Sequence, residues 1–475
     1  MAPKTRNGLR TRISYHGVPR DQLTRDHPSF DSLSSAKKEE VRVLSRDYAK
    51  FIDKSRIAPE VVDSVVEMAK ENGFKKLTEQ TTRSRNFYYV NEEGTAFALV
   101  KIGDKPISEG VRILYSHTDS PCLQIKPNPL LFEWDPDRKD HQLGVALDAL
   151  SYGGINPHQW TGQDLELRGW SVINGKRIEV RLPVYSPEVC AHTDKRHSET
   201  IEFSDAHRIE KLDVFTGHKN IPSLLKRLKL NSPEDFSRAA FFVVPTNKPK
   251  LLEYYVSGYG HDNRSCVYTT VKALLDSNPT HTSIVLGFDK EEVGSFGAGS
   301  GEGGLFEEIY DRVLLRTLKD HKKFSPLEFR MFERDLRKKS IAVNADTDVG
   351  SNTLEMENGA DMWNIAKLGF GVMILASTGS WSRDQISPNL IDRVYSILGK
   401  DVFHQSVGEP LSADEHPIES VAYLFANRGY QTVTIGPPVA SLHSPSELIH
   451  IGDLAATYWA YSKILEAPTH KVKRQ

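Results

Sequence analysis

Cysteine is scarce in this chain: Cys122, Cys190 and Cys266 are all that 475 residues contain. Three scattered thiols argue against a disulfide framework and fit a reducing, cytoplasmic compartment. No CxxC or similar spacing is present, so nothing points to a thiolate zinc site. Long apolar runs are also missing. None approaches the roughly 18 residues of a membrane-spanning helix, and no membrane partner is expected. Charge of one sign is not in excess: 61 Lys and Arg stand against 63 Asp and Glu, a net charge of -2. That balance gives no electrostatic reason to expect nucleic acid. The opening stretch, MAPKTRNGLRTRISYHGVPR, lacks both acids and an apolar core, so it does not read as a secretory signal. Its Arg-rich composition suits a transit peptide, but Pro3, Gly8, Gly17 and Pro19 make a poor amphipathic helix. Residues 1–30 are expected to form a flexible or partner-binding tail.

What is present is ordinary globular composition, with 39% hydrophobic and 26% charged residues, over a length that suggests about two to three domains. Residues 36–72 carry helical periodicity, with Pro59 and Gly73 as start and stop signals. FYYVNEEGTAFALVKIG reads as two strands around a turn, and VRILYSHTDSP as an apolar strand with a polar end. The texture changes after Pro129. Short strand patterns (DLELRGWSVI, KRIEVRLPVY, AAFFVVP) then dominate up to about residue 255. From EYYVSGYGHDNRS onward strands and helices alternate, which implies an α/β sheet with helices on both faces. The expected organisation is a catalytic domain over 1–129 and 256–475, interrupted by a β-rich insertion over 130–255.

In such folds function gathers where strands end. Five segments at or shortly past strand ends carry His or carboxylate. YSHTDSP supplies His117 and Asp119, and GYGHDNRS supplies His261 and Asp262. GFDKEEVGS supplies Asp289, Glu291 and Glu292, and VNADTDVG supplies Asp346 and Asp348. VASLHSPSE supplies His443. One such segment is noise, whereas five make a pattern. Imidazole and carboxylate without thiolate suit zinc or a similar borderline metal. The ligands suffice for two ions, which at roughly 3.5–4 Å apart need a shared carboxylate and can clamp a hydrolytic transition state. Hydrolysis also needs a carboxylate base that is not spent on metal. The adjacent Glu291 and Glu292 can divide those roles, and Asp119 can fix the tautomer of His117.

SHTDSP, GHDNRS, DKEEVGS, NAD and HSPSE, in this order, resemble the aspartyl aminopeptidase and vacuolar-type aminopeptidase I family of two-metal exopeptidases. YGGINPHQW makes the bacterial-type branch the nearest likeness. The resemblance spans about residues 85–465. It implies a metal-dependent aminopeptidase acting on peptides with a free N-terminus. It also implies His117, Asp262 and Asp346 at one metal and Asp262, Glu292 and His443 at the other, with zinc the expected ion and cobalt or manganese as substitutes. Glu291 becomes the general base and Asp119 the orienter of His117. The implied fold is a mixed central sheet flanked by helices, with the β-rich insertion serving for dimerisation and the dimers assembling into a dodecamer. Two regions depart from the family pattern. In STGSWSRDQISPN, Arg383 best matches a basic substrate contact beside Gly379, although a two-residue slip favours Gln385. DEHPIES, with His416, differs from the glycine- or cysteine-containing loop usual there. A His reaching across the dimer has three candidates, His158, His192 and His197; of these His192 is placed with Arg383 and Gly379 in the substrate site.

Each feature also has a plainer reading. Asp262 before a helix can act as a cap. Asp289 reads as a turn residue, His261 as structural, and Asp348 as a loop or supporting group. A GxGxxG at Gly299, Gly301 and Gly304 raises a dinucleotide site, but that motif should sit directly between strand and helix. Here DKEEVGS intervenes and Glu302 would repel phosphate.

Overall fold

The computed structural model describes residues 27–78, 84–132, 144–187, 212–318, 324–351, 365–376, 387–408 and 421–468. Arg383, Gln385, Gly379, His192, His197 and His416 lie outside them.

Four short runs of apolar residues build the centre of the molecule: Ser283–Phe288, Arg112–His117, Ile341–Asn344 and Thr432–Gly436, every residue of which is buried. Such runs suit parallel strands covered on both faces, and these four lie side by side in parallel. Phe97–Lys101 and then Asn86–Val90 add antiparallel on one side. On the other side Val372–Leu375 pairs antiparallel with Thr432–Gly436, and His404–Val407 pairs parallel with it. With Lys75–Lys76 the result is a nine-stranded mixed sheet.

Alternation along each strand feeds two cores. Leu114, Val285, Val343 and Val433 point into one, together with the helices Ser35–Lys54, Ala58–Glu71, His261–Asp276 and Ile451–Glu466. Ile113, Tyr115, Ile284, Leu286 and Ala342 point into the other, against Leu305–Thr317, Leu336 and Phe425. Burying one Val or Leu fully is worth about 1.5–3 kcal/mol, and both faces collect many such residues. The α/β architecture with helices on both faces is therefore observed.

The β-rich stretch closes into a six-stranded barrel, in the order Ala239–Pro245, Cys122–Phe132, Val145–Tyr152, Leu212–Phe215, Lys176–Tyr185 and Asp164–Ile173. Val180, Leu182 and Val184 alternate inward from exposed neighbours, the period of two expected of a strand with one wet face. Closure removes the free sheet edges that would otherwise template pairing. The strand Cys122–Phe132 leaves the main sheet five residues after His117, so the barrel begins immediately beside the first cluster of polar residues.

A smaller five-stranded sheet completes the fold. In it Tyr255–Gly258 runs antiparallel to Glu447–His450, with Gly258 opposite Glu447. The GxGxxG segment is a loop of turns, 16 residues from the end of the strand at Phe288 to the helix start at Leu305, which is not the direct strand-to-helix joint of a dinucleotide site. No described helix is long and apolar enough to cross a membrane.

Candidate metal centre

Three of the four parallel strands deliver their polar ends to one place. His117 is the last residue of its strand. Glu291 and Glu292 sit on a tight 3-10 turn, Glu291–Val293, just beyond Phe288. Asp346 lies two residues past the strand Ile341–Asn344. His443 follows Pro438–Ala440, a strand of the smaller sheet. The crevice at the carboxyl ends of such strands is where open α/β sheets bind ligands. Asp262 arrives from the second sheet: Gly260, at φ +79°, turns the chain so that Asp262 enters the site before the regular helix starts.

The distances define three overlapping triads, two of which share Asp262 while the third joins His117, Glu291 and Glu292. The Nε2 atom of His117 lies 3.2 Å from Asp262 Oδ1 and 3.5 Å from Asp346 Oδ1. The Nε2 atom of His443 lies 3.1 Å from Asp262 Oδ2 and 3.8 Å from Glu292 Oε2. Ligand-type atoms of His117, Asp262 and Asp346 fall within 4.8 Å of one another, as do those of Asp262, Glu292 and His443. Asp262 belongs to both of these triads, with one oxygen toward each. Glu291 Oε2 stands 3.8 Å from His117 Nε2, beside the first triad. The capping reading of Asp262 is not supported, because its side chain faces the histidines.

Supporting residues set the ring orientations. The Nδ1 atom of His117 faces the Asp119 carbonyl at 3.2 Å and Asp119 Oδ1 at 3.3 Å. The Nδ1 atom of His443 faces the Gly154 carbonyl at 2.8 Å. An Nδ1–H donated to each acceptor leaves Nε2 with its lone pair toward the carboxylates, the tautomer a metal requires. The carboxylate of Asp119 also accepts the Glu291 and Glu292 amides, at 3.2 and 3.1 Å, and the Tyr152 hydroxyl at 3.0 Å. One buried carboxylate thus fixes His117 and the backbone of both glutamates.

The site crowds negative charge where water is scarce. Burial pushes Glu291 well above the usual carboxylate range; His117 draws it back, while Asp346 and Glu292 lift it further. Burial raises Glu292 to about 8 against the pull of His443, and it raises Asp346 as well. Burial opposes a charged His443, yet Glu292 and Asp262 carry that ring up to about 10. Asp262 is lowered, since the hydrogen bonds and charges of the two histidines outweigh its burial. Two oxygens in this ring are poorly satisfied: Glu292 Oε1 is buried without a hydrogen-bond partner, and Asp262 Oδ1 is buried facing only the His117 ring at 3.2 Å. Poorly satisfied buried carboxylate oxygens are costly. A donor set of imidazoles and carboxylates with such oxygens fits divalent cations of the zinc type.

The remaining expectations divide as follows. Asp289 accepts the Lys290 amide at 2.9 Å and is a turn residue. His261 is held between Tyr48 and the Val256 carbonyl. Asp348 accepts the Val349 amide. His158 sits in the described turn Pro157–Trp160. Four supporting groups had no assigned role in the sequence reading: Tyr152, Gly154, Asn263 and Glu447. Tyr152 and Gly154 lie in YGGINPHQW and Glu447 in HSPSE, so the segments were visible and the individual contacts were not. Asn263 donates to the Ala345 carbonyl at 2.9 Å and to Asp346 Oδ1 at 3.0 Å.

A family model described as aminopeptidase I zinc metalloprotease (M18) matches residues 51–464. The chain is 28% identical over 461 residues to a probable M18 family aminopeptidase 1 of Borreliella afzelii, covering 90% of this chain and 97% of that protein. It is 28% identical over 457 residues to the corresponding protein of Thermotoga maritima, again covering 90% and 97%. Among solved structures, an M18 aminopeptidase from T. maritima superimposes with a TM-score of 0.79 at 26% identity, covering 91% of this chain and 98% of that one. Aminopeptidase I of Clostridium acetobutylicum gives 0.78 at 25%, covering 94% and 100%. The S. cerevisiae mApe1 dodecamer shares the fold, with a TM-score of 0.68 at 16% identity, covering 90% and 96%.

Proposed function

We propose, from the premise that this chain belongs to the M18 family of zinc aminopeptidases, a two-metal mechanism in which Glu291 activates the attacking water. The observation that carries it is the pair of triads sharing Asp262. His117, Asp262 and Asp346 would hold one divalent ion, and Asp262, Glu292 and His443 the second, with zinc the expected metal and cobalt or manganese as substitutes. Bound there, the ions would polarise the scissile carbonyl and stabilise the charge that develops on it.

The protein's own groups do the rest. Glu291 belongs to neither metal triad in this assignment and lies beside His117. It accepts the proton of the attacking water and returns it to the leaving amine. Burial raises its pKa, the direction that makes a carboxylate a stronger base. Asp119 acts through others: it locks His117 and the Glu291–Glu292 turn. The substrate α-amine is held among the carboxylates of the second triad. Arg383, Gly379 and His192 complete the proposed substrate site.

Assembly into dimers through the barrel, and of dimers into a dodecamer, is proposed along with this reading. A neighbour of the same fold, mApe1, is a dodecamer. A cytoplasmic setting is supported by the free thiols of Cys122 and Cys266. The test uses paired peptides with free and N-acetylated termini, assayed with zinc, cobalt or manganese and with a chelator. Cleavage confined to free termini and abolished by chelation is expected. Equal cleavage of acetylated peptides would remove the aminopeptidase reading, and a particle mass of a dimer or monomer would remove the dodecamer.

A further inference from the structure

Glu447 is almost wholly inaccessible, with 1% of its surface exposed. It opens the strand Glu447–His450 and faces Gly258 across the small sheet. Its carboxylate takes no cation among the described ion pairs. Instead Oε2 accepts the Asp262 amide at 3.2 Å and Oε1 accepts the His443 amide at 2.8 Å. Those amides belong to two of the three residues that face one another in the second triad, 181 positions apart in the chain.

Both backbones need holding. His443 adopts φ +64°, and Ser441 φ +56°, a left-handed turn that costs a non-glycine residue about 1–2 kcal/mol. Asp262 has non-helical ψ of 110° inside the first turn of its helix. The residue before it is pinned by Tyr48 and Val256, and the residue after it by Ala345 and Asp346. Its own amide is left to Glu447. Burial and the Asp262 charge raise Glu447 to about 8, while His443 and these two amides pull it back; ionised, a carboxylate that accepts backbone amides is among the stronger anchors a protein has.

We propose that Glu447 is a positioning residue: a buried two-armed acceptor that sets the distance between Asp262 and His443 and so preforms the second metal position. This rests on the two-metal reading. A carboxylate is needed because both arms must accept. A glutamine offers one oxygen and turns an NH2 donor on the other amide, leaving a buried N–H unsatisfied. An aspartate keeps the charge but is one methylene shorter and cannot span both amides.

The experiment titrates demetallated wild type, Glu447→Gln and Glu447→Asp with zinc against a chromophoric chelator, and with cobalt followed by visible absorption. Outer groups of this kind typically change metal affinity by about 10- to 100-fold. Both variants are expected to keep the first ion near wild-type affinity and to bind the second at least about tenfold more weakly, with an altered cobalt spectrum for that ion alone. Two ions bound by Glu447→Gln with wild-type affinity would overturn the proposal, as would equal weakening of both. Failure of the wild type to bind a second ion would instead sink the two-metal reading. Hydrogen exchange on the metal-free wild type covers the case of variants that do not fold. The Asp262 and His443 amides should be protected together and lose protection together; fast exchange of either refutes the tether.

Discussion

Gly153 offers a test in which a single methyl group is the perturbation. It lies at φ +74°, just after the barrel strand Val145–Tyr152. A Cβ added there would meet Cβ and Oε2 of Glu292 at 3.2 Å and Cβ of Pro121 at 3.3 Å. The left-handed backbone costs alanine about 1–2 kcal/mol relative to glycine. The contacts add a demand that Glu292 withdraw by a few tenths of an ångström. Its backbone cannot easily supply the movement, because its amide is bound to Asp119. The side chain must therefore shift relative to His443, which it already faces at 3.8 Å. Gly153→Ala should lower the stability of the metal-free protein by about 1–2 kcal/mol and weaken one of two ions by about tenfold, the equivalent of 1.4 kcal/mol. Urea unfolding and zinc titration by calorimetry measure the two effects separately. Unchanged stability would contradict the strained conformation. Lost stability with both affinities intact would contradict a role for Glu292 in holding the second ion.

Three further outcomes are expected. Asp119→Asn sets an NH2 donor among the Glu291 and Glu292 amides and the Tyr152 hydroxyl, so kcat should fall by about 10- to 100-fold and the first ion should bind more weakly; a kcat and affinity equal to wild type would exclude the positioning role. Metal binding should release protons, because without a bound ion Glu292 is held up to about 8 and His443 up to about 10, and ligands must be deprotonated. Calorimetry in buffers of different ionisation enthalpy should show that release, with affinity rising from pH 6 to 8; affinity independent of pH would refute it. Burial and the nearby His27 push His450 down to about 3, while its Nδ1 accepts the Gly452 amide at 3.1 Å. A folded value below the unfolded 6.5 means that this stability is full above pH 6.5 and drains away as pH falls toward 3. At pH 5 the loss is about 2 kcal/mol, and His450→Asn should flatten that slope in urea midpoints taken at pH 5 and 7.

The sequence made the fold class legible because the central strands are short, continuously apolar and separated by periodic helices. DLELRGWSVI and KRIEVRLPVY coincide with barrel strands because each alternates over ten residues, and AAFFVVP because it is a short apolar run rich in β-formers. Closure of those strands was not legible, because pairing partners leave no mark on a single strand. The helix Pro326–Lys339 escaped the reading although Phe329 and Phe332 pack half-buried beside Leu336, its one fully buried residue. Its Ser325 and Glu328 capping box was the available signal. At the site, five segments with His or carboxylate at strand ends announced a metal centre. The family resemblance already preferred Asp346 to Asp348 and Glu292 to Asp289, and the distances of Asp346 from His117 and of Glu292 from His443 agree with that choice. Gly154, Tyr152 and Glu447 act through one carbonyl, one hydroxyl and one buried carboxylate, and such contacts follow from packing alone.

The division of labour between two adjacent glutamates is the centre of this account, and Glu291→Gln tests it most directly. The measurement is zinc stoichiometry on the purified variant together with its turnover of a free-terminus peptide. The prediction is two ions per chain, within error of wild type, with kcat reduced by about 10²–10⁴-fold, the usual contribution of a general acid–base group. Loss of an ion along with activity would make Glu291 a ligand. Activity close to wild type with both ions retained would mean that the water is activated without it.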